Sequence, residues 1–291
     1  MKILNYFLLF VFVSLPITLK CQVFQGKILD KKSNAPLPYA SIGVRGKSIG
    51  GIANESGIFS INLTEAKPID EVIISYIGYQ SIILRIENIA LGKSHEIYLE
   101  PKATELREVV VFDKREIIVL GNNAKGSRSV GWGWDESSKG RSKGIGIENH
   151  KRIKLTRFAV YVNKNTFDSV RLRLNIYAEN DNIDSNESQL LNENIFLTSS
   201  HGKKWASVNL DPYDITITEN IVVTIEWVDA WDANPDHFLT TTTKEKEQQH
   251  FLTYGMTDAK GIFYTRETPQ EKFEKITNIG TPAMFVEGFE W

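Results

Sequence analysis

The 291-residue chain carries 34 Lys and Arg against 36 Asp and Glu, a net charge of -2, and one cysteine. Charges of both signs are interspersed, so no basic footprint for nucleic acid appears. A lone cysteine excludes an internal disulfide, and a chain cleaved just after Cys21 would also lose thiol nucleophiles and thiolate metal ligands.

Taken in chain order, Met1 to Cys21 has Lys2, an apolar run from Tyr6 to Leu15, then Pro16 and a polar end, the layout of a secretory signal. It is too short for a stable membrane anchor. Leu19 and Lys20 fit lipidation of Cys21 poorly, so residues 1–21 are expected to be cleaved without a lipid. The remainder, about 270 residues, divides by ordinary domain size into two. No later stretch approaches the length of a membrane span, so no transmembrane segment is expected after the signal.

Residues 22–100 read as a first domain. Period-two patterning places strands at Ile58–Leu63, Glu71–Tyr76, Ser81–Ile86 and His95–Leu99, with Val72, Ile74 and Tyr76 on one face. Between Pro36 and Phe59 the sequence writes a strand from Tyr39 to Val44, a bend at Gly50-Gly51, and the turn Asn54-Glu-Ser-Gly57, whose glycine is free to take φ > 0. Gly78 and Gly92 mark later bends. The segment from Phe24 to Glu100 resembles the carboxypeptidase-regulatory-like domain, through Gly26-Lys-Ile-Leu-Asp30, Pro36-Leu-Pro-Tyr-Ala-Ser-Ile42, Asn54-Glu-Ser-Gly-Ile-Phe59 and Ile74-Ser-Tyr-Ile-Gly-Tyr79. The resemblance implies a transthyretin-like β-sandwich, a non-catalytic accessory role, and the company of TonB-dependent receptors, where such a domain precedes the plug.

Thr104 to Phe112 resembles the segment that joins this domain to the receptor plug. The rest of the chain is too short to supply the strands of a receptor barrel. Residues 101–150, rich in Gly, Ser, Lys and Arg, read as a linker with short strands at Val109–Phe112, Ile117–Leu120 and Val130–Trp134. Residues 151–291 then carry a second series of strands. They are Phe158–Val162, Ser169–Tyr177, Trp205–Leu210, Asn220–Val228, His237–Thr242, Phe251–Tyr254, Ile262–Arg266 and Met284–Phe289. Val170, Leu172, Leu174 and Ile176 alternate with Arg171, Arg173, Asn175 and Tyr177, one face in and one face out. The expected fold is all-β, two β-sandwich domains, the second jelly-roll-like.

Catalytic signatures are sparse. No His is followed three residues later by Glu, and His95-Glu96 lacks the second His of a zincin motif, so metallocarboxypeptidase chemistry is not expected. Gly-x-Ser-x-Gly is absent, and no phosphate-loop ending is correctly spaced. Asn180 to Glu187 offers oxygen ligands without the spacing of an EF-hand and reads as a solvated hairpin tip. Trp132 and Trp134 share a strand face and read as caps on the second core.

The best candidate site follows the strand Asn220–Val228. Trp231 offers a face for stacking, and Asp229, Asp232, Asp236 and His237 offer hydrogen-bond or metal-binding groups. Trp227 is in register with Ile221, Val223 and Ile225 and belongs to the core. The sequence therefore reads as an exported non-catalytic protein of the periplasm, outer membrane or cell surface. It would be a binding or adaptor module for an envelope protein or glycan, with no cofactor. The alternative is an accessory subunit or hydrolase with its site in the C-terminal sandwich.

Overall fold

The computed structural model describes residues 22–102, 116–126, 128–133, 139–180, 183, 188–233, 251–277 and 279–290. The expected signal, the strands at Val109–Phe112 and His237–Thr242, Trp134, and most of the Asn180–Glu187 tip lie outside these residues, as does the side chain of Trp132.

Seven strands build a first pair of sheets: β1 (Val23–Asp30), β2 (Ser41–Val44), β3 (Gly50–Ile52), β4 (Ile58–Asn62), β5 (Glu71–Ser75), β6 (Ile82–Arg85) and β7 (Ser94–Leu99). One sheet runs β4-β1-β7 and the other β3-β2-β5-β6. The β1–β7 pairing is parallel and the others antiparallel. Between them Phe24, Ile28, Ile42, Val44, Val72, Ile74 and Leu99 are fully buried, as alternation demands of strands with one face on a core.

Two details differ from the sequence reading. Gly50 and Gly51 form β3 in place of a bend, because β2 and β3 approach so closely that a Cβ on Gly50 would lie 2.6 Å from the Ile42 carbonyl oxygen. Tyr39 does not open the strand; it stands before it with φ of 62°, a left-handed conformation that is costly for an aromatic residue. Gly57, Gly78 and Gly92 take positive φ, as their turns require.

A second pair of sheets holds β8 (Ile118–Gly121), β9 (Arg128–Gly133), β10 (Ser142–Ile147), β11 (Ile153–Asn165), β12 (Ser169–Ala178), β13 (Ile195–Ser200), β14 (Lys204–Asn209), β15 (Thr216–Ile217), β16 (Ile221–Trp231), β17 (Phe251–Thr257), β18 (Phe263–Arg266), β19 (Glu274–Ile276), β20 (Thr281–Pro282) and β21 (Met284–Glu290). One sheet is ordered β13-β12-β16-β10-β18-β19. The other is ordered β20-β17-β11-β21-β8, with β14 and β15 on β11 and β9 on β17. Ile145, Phe158, Leu172, Leu174, Val223, Ile225, Trp227, Tyr254 and Val286 meet in one core between them. The fold is all-β, built of sandwiched sheets.

The stretch expected as a linker, 101–150, supplies three strands to this second pair. β8, β9 and β10 are paired strands within it, and β10 lies between β16 and β18. Its glycines answer to packing: a Cβ on Gly144 would meet the Val223 carbonyl oxygen at 2.0 Å and the Thr224 side chain at 2.7 Å. Small residues on one face and Ile145 and Ile147 on the core face thus make a strand out of a composition that reads as flexible.

The polar face of β12 supplies the larger correction. Arg173, Asn175 and Tyr177 turn away from the second core, but they are buried: Arg173 against Tyr39 and Ser41 of the first pair, Asn175 against Gln189 and Glu226, and Tyr177 against Phe273 and Arg266.

Candidate functional site

The seam between the two sheet pairs gathers several buried polar groups, among them Ser41, Ser75, Arg173, Asn175, Glu226 and Arg266. β12 and β16 run antiparallel, with Arg173 directly opposite Glu226. Arg173 Nε donates to Glu226 Oε2 at 3.0 Å and Nη2 to Oε1 at 2.8 Å, a forked pair whose side chains are only 3% and 1% exposed. Arg173 also reaches across the seam. Its Nη1 donates to the Tyr39 carbonyl at 2.8 Å and its Nη2 to Ser41 Oγ at 2.9 Å. Asn175 Nδ2 adds a contact to Glu226 Oε2 at 3.3 Å, so the buried carboxylate is well supplied with donors. Tyr39 thereby gains a use for its left-handed backbone, which presents its carbonyl to a guanidinium.

Further along, Gln270 Nε2 donates to Ser75 Oγ at 3.0 Å, and the Gly46 amide donates to the Gln270 carbonyl at 2.9 Å. Between these contacts lies a cavity of about 150 Å³, lined by Ser41, Ser75, Arg173, Gln189, Glu226 and Arg266 among others. Arg266 is held by Tyr177 Oη, to which its Nη2 donates at 3.0 Å, by Ser142 Oγ at 3.4 Å, and by the ring of Phe273, 4.4 Å from its guanidinium carbon.

The residues singled out from sequence sit at one edge of this seam. Pairing between β12 and β16 shifts by one residue: Leu172 faces Trp227 and Arg171 faces Asp229, leaving Val228 as the extra residue of a β-bulge. Trp227, on the core side, is 1% exposed as expected. Asp229 and Trp231 fall on the seam side. Arg171 stacks over the Trp231 indole at 4.6 Å, and its Nη1 donates to Tyr39 Oη at 2.8 Å and to Glu55 Oε1 at 3.2 Å. Burial pushes the Tyr39 hydroxyl up to about 12, against the neighbouring Arg171 charge, so it stays protonated. Asp229 lies 3.5 Å from Lys139 Nζ, and Asp232 is half-buried one residue beyond the strand. Asp236 and His237 lie outside the described residues. Three of the five candidates thus cluster at the end of β16, against residues of both sheet pairs.

Sequence reasoning missed Arg173, Glu226 and Arg266. A signal was present for Glu226, a charged residue inside the apolar run Ile221 to Val228, where a carboxylate needs a partner. Nothing local announces Arg266, which reaches the seam through the pairing of β18 with β10. Among the described residues no cluster of three or more His, Cys, Asp or Glu is placed to hold a metal.

With that geometry in hand, residues 24–111 match the family model of the CarboxypepD_reg-like domain. The first pair of sheets is therefore a domain of that family, and the seam is the face by which it meets the second pair. No curated protein matches the chain. A solved structure, the T13 particle of the virus IBDV, aligns at 11% identity over 86% of this chain and 61% of its own, with a TM-score of 0.25. This chain spans less than two thirds of the length of that structure.

Proposed function

We propose that the protein is an exported, non-catalytic envelope component whose CarboxypepD_reg-like domain and second sandwich together present a binding surface for a protein or glycan. The observation that carries the reading is the edge of the seam at Trp231. There an indole, 37% exposed, is braced by Arg171, which is itself anchored on Tyr39 and Glu55 of the first domain. An aromatic face fixed in orientation, with Asp229 beside it, suits stacking on sugar CH groups or on a partner's apolar side chain.

A glycan array and an envelope-protein overlay, run with the wild type and Trp231→Ala, test the reading. Retention by the wild type, lost in the variant, is expected. Retention that ignores the substitution, or none on either platform, sinks it. N-terminal sequencing from the envelope fraction tests export, and Met1 retained on a cytoplasmic protein would overturn that part.

A further inference from the structure

The cavity in the seam holds more positive charge and more hydrogen-bond donors than its own residues neutralise. Its charged lining residues are Lys102, Arg173, Arg266 and Glu226, three cations against one anion. Glu226 is committed to Arg173 by the forked contact, which leaves Arg266 as the buried surplus charge, with Lys102 an exposed residue of the lining.

Arg266 is buried, with 7% of its surface exposed, and every described group it touches is neutral. Its Nε and Nη2 meet the hydroxyls of Ser142 and Tyr177, its plane rests on Phe273, and no described carboxylate lies within 4.0 Å of it. Tyr177 does not supply the missing negative charge, because burial raises the pKa of its hydroxyl and keeps it neutral. Arg266 Nη1 donates to no described protein group. Ser41 and Ser75 each accept one hydrogen bond, from Arg173 and Gln270, and among the described residues their own hydroxyl hydrogens have no acceptor. A buried guanidinium without a counter-charge is strongly unfavourable, and these donors make the cavity suited to an anion and unsuited to a metal ion.

We infer that this cavity binds a small oxyanion, a carboxylate or phosphate group, with Arg266 as its counter-charge and Ser41 and Ser75 as donors. A forked guanidinium fits the two oxygens of such a group. The volume of about 150 Å³ matches the size. It equals roughly five waters at about 30 Å³ each, enough for an acetate- or phosphate-sized group. The inference does not rest on the adaptor reading, which concerns the Trp231 edge.

The test uses the full-length protein, with sodium acetate and sodium phosphate titrated against sodium chloride at matched ionic strength, followed by calorimetry and thermal unfolding. At least one oxyanion should bind saturably and raise the melting temperature beyond chloride. A response to acetate alone assigns a carboxylate ligand, and a response to phosphate alone assigns a phosphate. Arg266→Gln should weaken binding about ten- to a hundredfold, the scale of a charge-assisted hydrogen bond. Ser75→Ala, which removes one donor and keeps every charge, should weaken it several-fold. Should Arg266→Gln fail to fold, Ser75→Ala decides the matter. Affinity unchanged in Ser75→Ala, or no saturable response beyond chloride in the wild type, overturns the inference.

Discussion

Arg171 and Arg173 leave the same face of β12, two residues apart, yet they sit in different surroundings. Arg173 is at the centre of the seam, where its side chain and that of Glu226 are 3% and 1% exposed. Arg171 is at the rim, where the side chain of its partner Glu55 is 65% exposed. Both are pairs of arginine with glutamate. They differ in what happens when one member is removed. At the centre the survivor is a stranded charge in a medium of low dielectric, while at the rim water takes the place of the lost partner.

The largest effect should therefore come from the centre. Arg173→Met should cost about 3–5 kcal/mol, because Glu226 is left buried without its counter-charge. Adding Glu226→Leu should recover a substantial part of that loss, since an apolar pair leaves no charge behind. Urea unfolding of the two variants decides it; a double variant as unstable as the single one would mean that the contacts to Tyr39 and Ser41 matter more than the charge.

The bulge in β16 gives a second contrast. Trp227→Ala should cost about 3–5 kcal/mol through lost burial and a residual cavity. Trp231→Ala should cost only about 0.5–1 kcal/mol, the worth of an exposed indole stacked on an arginine. Comparable losses at both positions, in the same denaturant series, would show that the rim is core in all but exposure.

Smaller still is Glu55→Gln, with an expected change of about 0.5 kcal/mol or less that shrinks further at high salt. A larger, salt-insensitive loss would erase the distinction between centre and rim. Asp30, which Tyr79 of the cavity lining holds by a hydrogen bond, offers a pH test. Its pKa is lowered from 3.8 to about 2, chiefly by the hydrogen bond from the Tyr79 hydroxyl at 2.6 Å and then by the Ser33 amide. A depressed carboxylate stabilises the fold above its unfolded pKa, and that contribution fades as pH falls from about 4 towards 2. Tyr79→Phe should flatten this acid limb in denaturation midpoints measured across that range; an unchanged limb would assign it to other carboxylates.

Much of the fold was legible in the sequence because single strands carry their own signal. Val72 and Ile74 in β5, and Leu172 and Leu174 in β12, alternate so regularly that the core face could be read directly. What escaped was the use made of the other face. Arg173 and Asn175 read as solvated because alternation says which residues leave a core and nothing about what they meet next. The linker reading failed at Ser142–Ile147 for a related reason: glycine and serine are counted as flexible, whereas here they make room for Thr224, Tyr264 and Arg266. At the candidate site, Trp227 was placed by register. Asp229 and Trp231 share its parity, and only the bulge moves them to the opposite side.

That bulge gives β16 two reading frames. Counted from Ile221, odd positions face the core as far as Trp227; beyond Val228 the frame slips, and Ala230 takes the inward place while Asp229 and Trp231 face out. Anyone transplanting the rim onto another strand must count from the slip, because a graft beginning at Asp229 in the upstream frame would turn its acid and its indole inward. Moving the surplus residue would accordingly exchange surface for interior without altering the composition of the segment.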